Sequence, residues 1–126
     1  MKEPNLKRRK AFHLGMEAEK RAGDHLRLLG FELLEHRYKT KYGEIDLIIR
    51  RENLVAFVEV KARPSVDEGA YSVTLTAQKR IANSALLWMA ENAETLGADI
   101  DFRFDVAIMT PDNTITMIEA AFDVSE

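Results

Sequence analysis

The chain predicts an α/β fold of three layers, in which a central mixed β-sheet is flanked by helices. Two long segments carry apolar residues at helical spacing, and five shorter segments are apolar or alternate as strands do. Their order along the chain is α-β-β-β-α-β-β, without a repeat or a low-complexity tract. We expect one domain over residues 11–126, preceded by a basic, flexible tail over residues 1–10.

The first helix is predicted from about residue 11 to residue 29. Six apolar residues recur there at intervals of three and four, which is the spacing of one helix face. Gly30 follows directly and is suited to the left-handed conformation that ends many helices. A short strand from Phe31 to Leu34 comes next, and then a polar, basic stretch from His36 to Gly43.

Strands at about 44–50 and 54–62 form a hairpin in the predicted fold. A break at Pro64 begins a loop that runs through Gly69, and a long second helix extends from about residue 76 to residue 96, ended by Gly97. A fourth strand from about 102 to 108 alternates apolar and polar residues. A turn at 111–113 leads to the fifth strand at about 114–119.

Composition excludes several classes of protein. Hydrophobic residues make up 46% of the chain and charged residues 31%, as in ordinary globular domains. There is no cysteine, so disulfides, thiolate zinc sites and cysteine nucleophiles are ruled out. No apolar stretch is long enough to span a membrane, and no apolar segment follows the basic start as in a signal peptide. We therefore expect a cytoplasmic protein without a membrane partner.

Charge is distributed unevenly along the chain, although the net charge is only −3. Residues 1–63 carry 15 Lys and Arg against 10 Asp and Glu, whereas residues 64–126 carry 3 against 11. A local basic face can follow phosphates whatever the total charge, so a nucleic-acid partner stays open. The alternative for the basic start of the chain is that it is merely solvated.

Ionisable residues lie inside the two hairpin strands, where burying a charge costs several kcal/mol unless it is paired or bound to a metal. If the hairpin turns between Glu52 and Asn53, Asp46 lies directly opposite Glu59, with Cβ atoms about 4.5–5.5 Å apart. Lys61 then shares the face of Glu59. Two facing carboxylates repel each other, so a proton or a cation must lie between them.

A divalent metal site is the interpretation that we favour for these residues. Mg²⁺ or Mn²⁺ is held by one or two carboxylates and can activate water beside a phosphodiester. Asp46 and Glu59 would be direct ligands together with the backbone carbonyl of Val60, and Lys61 would position the water and stabilise the developing charge. The alternative is structural: Asp46 bonded to loop amides, and Glu59 paired with Lys61 or Arg63.

Other candidates are less distinctive. Glu19 lies at the edge of the apolar stripe of the first helix, from where it could reach over the sheet, although such a residue is more often solvated. Gln78 could contact the attacking water or a phosphate. Asp105 shares its strand face with Arg103, which favours a structural ion pair. Basic residues near these positions form a candidate phosphate track: Arg37, Lys39, Lys41, Arg63, Lys79 and Arg80.

Together these motifs resemble the PD-(D/E)XK nuclease superfamily, and more closely the bacterial YraN family, which looks related to archaeal Holliday-junction resolvases. The match runs from residue 15 to residue 123 and rests on three motifs in particular: Gly15–Glu19, Gly43–Ile48 and Phe57–Arg63. The resemblance implies a restriction-endonuclease-like core and a metal-binding role for Glu19. Two positions depart from the pattern, because Ile45 replaces the usual Pro and Ala77 replaces a Lys.

Two functional hypotheses follow. The first is a Mg²⁺- or Mn²⁺-dependent endonuclease acting on structured or branched DNA; resolvases cut two strands symmetrically, so a homodimer would suit it. The second is a nucleic-acid-binding module that keeps the nuclease fold with little or no catalysis. A domain whose partner is a protein, with the carboxylates serving structure, is a third and more distant alternative.

Overall fold

A computed structural model describes residues 5–123 of the chain. The order of elements is α1 (Leu6–Leu28), β1 (Glu32–Thr40), β2 (Gly43–Arg51), β3 (Leu54–Ala62), α2 (Val66–Tyr71), α3 (Leu75–Glu91), α4 (Ala93–Leu96), β4 (Asp101–Met109) and β5 (Ile115–Ile118). The predicted α/β architecture is confirmed, with two short helices, α2 and α4, added to the expected order. No helix within residues 5–123 is long and apolar enough to cross a membrane.

One open sheet holds all five strands in the order β1-β2-β3-β4-β5. It is mixed, because β3 and β4 pair in parallel while every other neighbouring pair is antiparallel. The parallel step requires a crossover, and α2, α3 and α4 supply it. The end of β1, the start of β2, the end of β3 and the end of β4 therefore lie at one edge of the sheet.

Each face of the sheet buries its own apolar cluster. On one face, Ala18, Ala22 and Leu26 of α1 pack against strand residues such as Val58 and Val60. On the other face, the α3 residues Ile81, Ala85 and Trp88 form a cluster with strand residues that include Phe57, whose ring meets Trp88 edge to face. The sheet is thus the middle of three layers.

The first helix begins earlier than the sequence indicated. Asn5 is its N-cap, and the side chain of Asn5 accepts a hydrogen bond from the backbone N–H of Arg8 at 3.1 Å. The helix boundary at residue 11 is therefore wrong, and Leu6–Lys10 of the predicted tail are helical; residues 1–4 lie outside the described part. Gly30 does follow the helix with a φ of 91°, as predicted.

The strand β1 is the largest correction. It was predicted to end at Leu34, but it continues to Thr40 and includes most of the polar, basic stretch. Polar side chains fit there because β1 is an edge strand whose exposed positions face solvent. Arg37 interrupts it with a φ of 54°, a left-handed backbone that is rare for a residue with a long side chain.

The crossover also differs from the prediction in two places. The loop expected through Gly69 contains α2, whose N-cap Ser65 accepts a hydrogen bond from Glu68 N. The long second helix divides at Asn92, whose side chain donates to the carbonyl of Trp88 at 2.8 Å. The break depends on this side-chain bond to a backbone carbonyl at the end of α3. The spacing of apolar residues carries no sign of such a bond, so it did not reveal the break.

Gly69 generates a stability prediction, because a Cβ placed there would lie 2.6–2.9 Å from three carbon atoms of the buried Ile108 side chain. Gly69→Ala should lower the free energy of unfolding by about 1–3 kcal/mol, since the packed strand beneath it cannot retreat. Urea denaturation measures this change.

Gly15→Ala is the matched control, because nothing lies within 4 Å of a Cβ at that helical glycine. It should raise the free energy of unfolding by about 0.5–1 kcal/mol through helix propensity alone. Equal effects of the two substitutions would contradict the role assigned to close packing at Gly69.

Candidate metal centre

The hairpin brings Asp46 and Glu59 together in the predicted register. The β2–β3 ladder runs from the pair Arg51–Leu54 to the pair Leu47–Val58, and the next position in this register joins Asp46 to Glu59. The two carboxyl groups lie close enough to interact, because Glu59 raises the pKa of Asp46. The sequence argument about the turn between Glu52 and Asn53 is confirmed, with Glu52 itself in a left-handed conformation at a φ of 55°.

Asp46 is tied to the backbone of the neighbouring strand as well. Its Oδ2 atom accepts a hydrogen bond from the N–H of Val60 at 2.8 Å. The carboxylate thus takes a backbone donor just beyond the last ladder pair, which fixes the side chain between the strands. The carbonyl of Val60, predicted as a metal ligand, stays a prediction.

Burial dominates the electrostatics of the pair and raises the pKa of Asp46 to about 9. The neighbouring carboxyl group of Glu59 acts in the same direction, while the N–H of Val60 lowers the pKa and the charge of Glu19 raises it slightly. Asp46 therefore retains its proton at neutral pH.

Lys61 lies beside the pair, as its position two residues after Glu59 predicted. Its Nζ atom is 3.9 Å from Glu59 Oε2, and its side chain is largely covered by the surrounding protein. A cation at this distance stabilises negative charge on Glu59 without a close hydrogen bond. The structural alternative, a Glu59–Lys61 pair, and the metal hypothesis both use this contact.

Glu19 reaches over the sheet from α1 but is engaged by other residues. Its Oε1 atom lies 2.9 Å from both Arg37 Nε and His36 Nε2, and its side chain is only 14% exposed. Nothing in the sequence predicted that His36, a member of the polar, basic stretch, would bind Glu19. The left-handed backbone of Arg37, which lets two consecutive side chains reach the same helix, has no signature in the sequence.

The donor chemistry of the carboxylate pair fits Mg²⁺ or Mn²⁺, since a hard cation takes oxygen ligands and could replace the proton that the raised pKa of Asp46 implies. Asp46 and Glu59 would hold it, with waters and a phosphate oxygen completing the shell. Glu19 does not complete such a set in this arrangement. Across residues 5–123, no three His, Asp or Glu side chains come close enough together to hold a metal ion.

Gln78 contacts residues other than the two carboxylates. Its amide nitrogen donates to the carbonyl of Val73 at 3.1 Å, within the segment that caps α3. Its side chain borders a small cavity with residues of β4, β5 and the segment that follows, and none of the three central site residues lines that cavity. This contact supports a structural role, and the catalytic role stays a prediction.

Basic side chains gather at the sheet edge next to the pair. Arg80 lies against Gly43, where a Cβ would be 3.6 Å from two of its carbon atoms. Thr40 and Ser84 bind each other at 2.8 Å and hold the β1–β2 turn on α3. This basic edge carries four exposed cations from β1, the β1–β2 turn and α3, and Arg63 follows β3. The four are Lys39, Lys41, Lys79 and Arg80.

Asp105 takes the structural role that its strand position indicated. It is 1% exposed and receives two hydrogen bonds from Arg103, at 2.8 and 2.9 Å, and a third from the backbone N–H of Ala120. All of its charge is therefore met inside the fold. It takes no part in the candidate centre.

The raised pKa of Asp46 predicts that the metal-free protein loses stability as pH rises. Unfolded Asp46 releases its proton near pH 3.9, whereas folded Asp46 keeps it to about pH 9. Between these values ionisation favours the unfolded chain, so the free energy of unfolding should fall by up to about 1.4 kcal/mol per pH unit. Denaturation in EDTA from pH 5 to pH 8 measures this slope.

Asp46→Asn is the control, because the amide keeps an acceptor for Val60 N and cannot ionise. The variant should show a flatter dependence than the wild type over the same range. Parallel slopes for the two proteins would show that the carboxyl pair does not retain a proton in the folded state.

Comparisons with known proteins match the part of the chain that contains this site. The model of the family described as "Uncharacterised protein family UPF0102" matches residues 18–109, which include Glu19, Asp46, Glu59 and Lys61. A UPF0102 protein of Bradyrhizobium diazoefficiens is 45% identical over 115 residues, which are 91% of this chain and 85% of the relative.

Two further relatives give the same result. A UPF0102 protein of Nitrobacter winogradskyi is 44% identical over 91% of this chain and 96% of its own length. One from Rhodopseudomonas palustris is 41% identical over 97% of this chain and 92% of its own length. The chain therefore belongs to the UPF0102 family, the YraN family that its motifs resemble.

Proposed function

We propose that this protein is a divalent-metal-dependent endonuclease that hydrolyses phosphodiester bonds in structured or branched DNA. The observation that carries the proposal is the facing pair of Asp46 and Glu59 at the end of the β2–β3 ladder, with the ammonium group of Lys61 3.9 Å from Glu59. A structural ion pair needs only one carboxylate and one cation. Burying a second carboxylate beside the first raises the free energy of the folded state, so it calls for another explanation.

The residues of the centre have distinct tasks in this proposal. Asp46 and Glu59 hold Mg²⁺ or Mn²⁺, which when bound lowers the pKa of water and neutralises a phosphate oxygen. Val60 N–H fixes the orientation of Asp46. Lys61 positions the water and stabilises the charge that develops as the water oxygen bonds to phosphorus and the phosphorus–oxygen bond to the leaving group breaks.

The basic edge supplies the means to bind the substrate. Its exposed Lys and Arg side chains lie where β2 begins and β3 ends, a few residues from the carboxylates. Cations so placed can follow the phosphates on either side of a scissile bond, although the whole chain is acidic. The local charge of this edge, and not the net charge, supports a nucleic-acid substrate.

The resemblance to the PD-(D/E)XK nucleases supports the same reaction class, since each of their three motifs has its counterpart in this chain. Resolvases in that superfamily cut two strands symmetrically, and a homodimer of this chain would suit such a reaction. DNA is accessible in the bacterial cytoplasm, where we expect the protein to act.

One observation favours a second function, DNA binding without cleavage. Glu19 is paired with Arg37 and His36 and does not join the carboxylate pair. If that arrangement persisted on DNA, the centre would have two carboxylates and no third. The two functions differ in whether the protein turns over its substrate.

Cleavage tests the proposal directly. Asp46→Asn and Lys61→Ala should each lower the rate of Mn²⁺-dependent cleavage of a four-way DNA junction at least about 100-fold, because each removes a group that acts in the transition state. Labelled duplex, forked and four-way substrates resolved on denaturing gels measure this, with circular dichroism as the check on folding.

Asp24→Asn and Lys20→Ala are matched controls, since these residues form an exposed ion pair on α1 at 3.2 Å. They should leave the rate unchanged. Cleavage that survives both site variants would end the nuclease proposal, and binding without any cleavage by the wild type would favour the second function.

The basic edge predicts salt-dependent binding. The double variant Lys41→Gln/Arg80→Gln should weaken duplex binding and reduce the slope of log affinity against log salt by about 1–2, because two phosphate contacts are lost. Arg27→Gln, at the far end of α1, should change neither quantity. Fluorescence anisotropy in EDTA over a range of salt concentrations measures both, and equal slopes for all three proteins would refute this surface.

A further inference from the structure

Arg37 has an unusual backbone conformation, and its side chain binds Glu19 of α1. Its φ of 54° lies in the left-handed region, which residues with long side chains seldom adopt. The β1–β2 ladder accordingly skips it, pairing His36 with Leu47 and Tyr38 with Ile45. The consequence is that His36 and Arg37, though consecutive, both bind Glu19 of α1. The surrounding fold holds a strained residue in the place where it meets this carboxylate.

The guanidinium of Arg37 binds the third acidic residue and lies within electrostatic reach of Asp46. Its Nε is 2.9 Å from Glu19, and it also feels the charges of Asp46 and Glu44. Glu19 in turn acts on Asp46, so the two carboxylates are within electrostatic reach of each other. Arg37 thus engages an acid that lies within electrostatic reach of Asp46.

A guanidinium binds carboxylate and phosphate in the same planar geometry. Arg37 is only partly covered, with 31% of its side chain exposed, so a phosphate can reach it from solvent. The basic edge supplies the cations that would bring a DNA strand to this part of the sheet. A phosphodiester and Glu19 are therefore competing partners for one side chain.

We propose that Arg37 binds the substrate phosphate, and that this exchange releases Glu19 to join Asp46 and Glu59 as a metal ligand. The inference rests on the proposed function and adds a coupling to it: DNA and the metal ion help each other to bind. Because such coupling is reciprocal, the metal must also tighten DNA binding by the same factor. Without DNA, the centre has two carboxylates; with DNA, it has three.

Calorimetric titration of Mn²⁺ tests the exchange. All proteins carry Lys61→Ala so that DNA stays intact, and each is titrated alone and with a 20-base-pair duplex. In this background we expect the duplex to tighten Mn²⁺ binding about fivefold or more. Adding Arg37→Gln should tighten binding to a similar degree without DNA, and the duplex should then have little further effect.

Glu19→Gln distinguishes release of a ligand from the simple removal of a positive charge. Alone, it should leave DNA-free Mn²⁺ binding unchanged and abolish the effect of the duplex. Combined with Arg37→Gln, it should cancel the gain that the arginine variant shows. A gain that persists in the double variant would overturn the exchange, because it would then come from the net charge.

Arg21→Gln is the matched control, since Arg21 binds Glu17 at 2.7 Å on the same helix. It should behave like its parent. An Arg37→Gln variant that matches this control, or that binds Mn²⁺ more weakly, would overturn the exchange while leaving the nuclease proposal intact. Loss of all Mn²⁺ binding, with and without DNA, would remove both, and melting curves establish that each variant is folded.

Discussion

Two carboxyl groups facing each other within a sheet are the constraint around which this molecule is arranged. Asp46 and Glu59 face each other where the β2–β3 ladder stops, and the repulsion between two buried carboxylates favours a proton or a cation between them. From the strand of Glu59, the N–H of Val60 donates a hydrogen bond to Asp46, and the ammonium group of Lys61 lies near Glu59. Lys61 contacts the pair directly, whereas Glu19 acts on Asp46 through its charge and is itself bound by Arg37.

Two other acids of the fold, Asp105 and Glu19, differ in how their charges are stabilised. Asp105 is more deeply buried than Asp46, but three donors satisfy it and it has no role beyond the fold. Glu19 is satisfied as well, although by side chains that solvent and a phosphate can reach. A buried acid with local, permanent partners stabilises structure, whereas an acid with exchangeable partners can take part in binding.

The hairpin was the part of the site that could be predicted. Strand period and a turn of even length place Asp46 opposite Glu59 by geometry alone, because a slip of one residue would turn the apolar faces outward. Family motifs pointed to Glu19 but not to its partners. Arg37 was a candidate phosphate contact, but its left-handed backbone and its bond to Glu19 escaped prediction, because they depend on what the rest of the fold supports.

The sequence by itself determined the two amphipathic helices, the five apolar strands and the carboxylates that interrupt them, because these follow from local periodicity. Only the tertiary structure decided the full length of β1, the break between α3 and α4 at Asn92, and the engagement of Glu19 by residues of a neighbouring strand. These features are contacts between segments distant in sequence, or side-chain bonds to backbone groups. Their free energy depends on which surfaces the folded chain brings together.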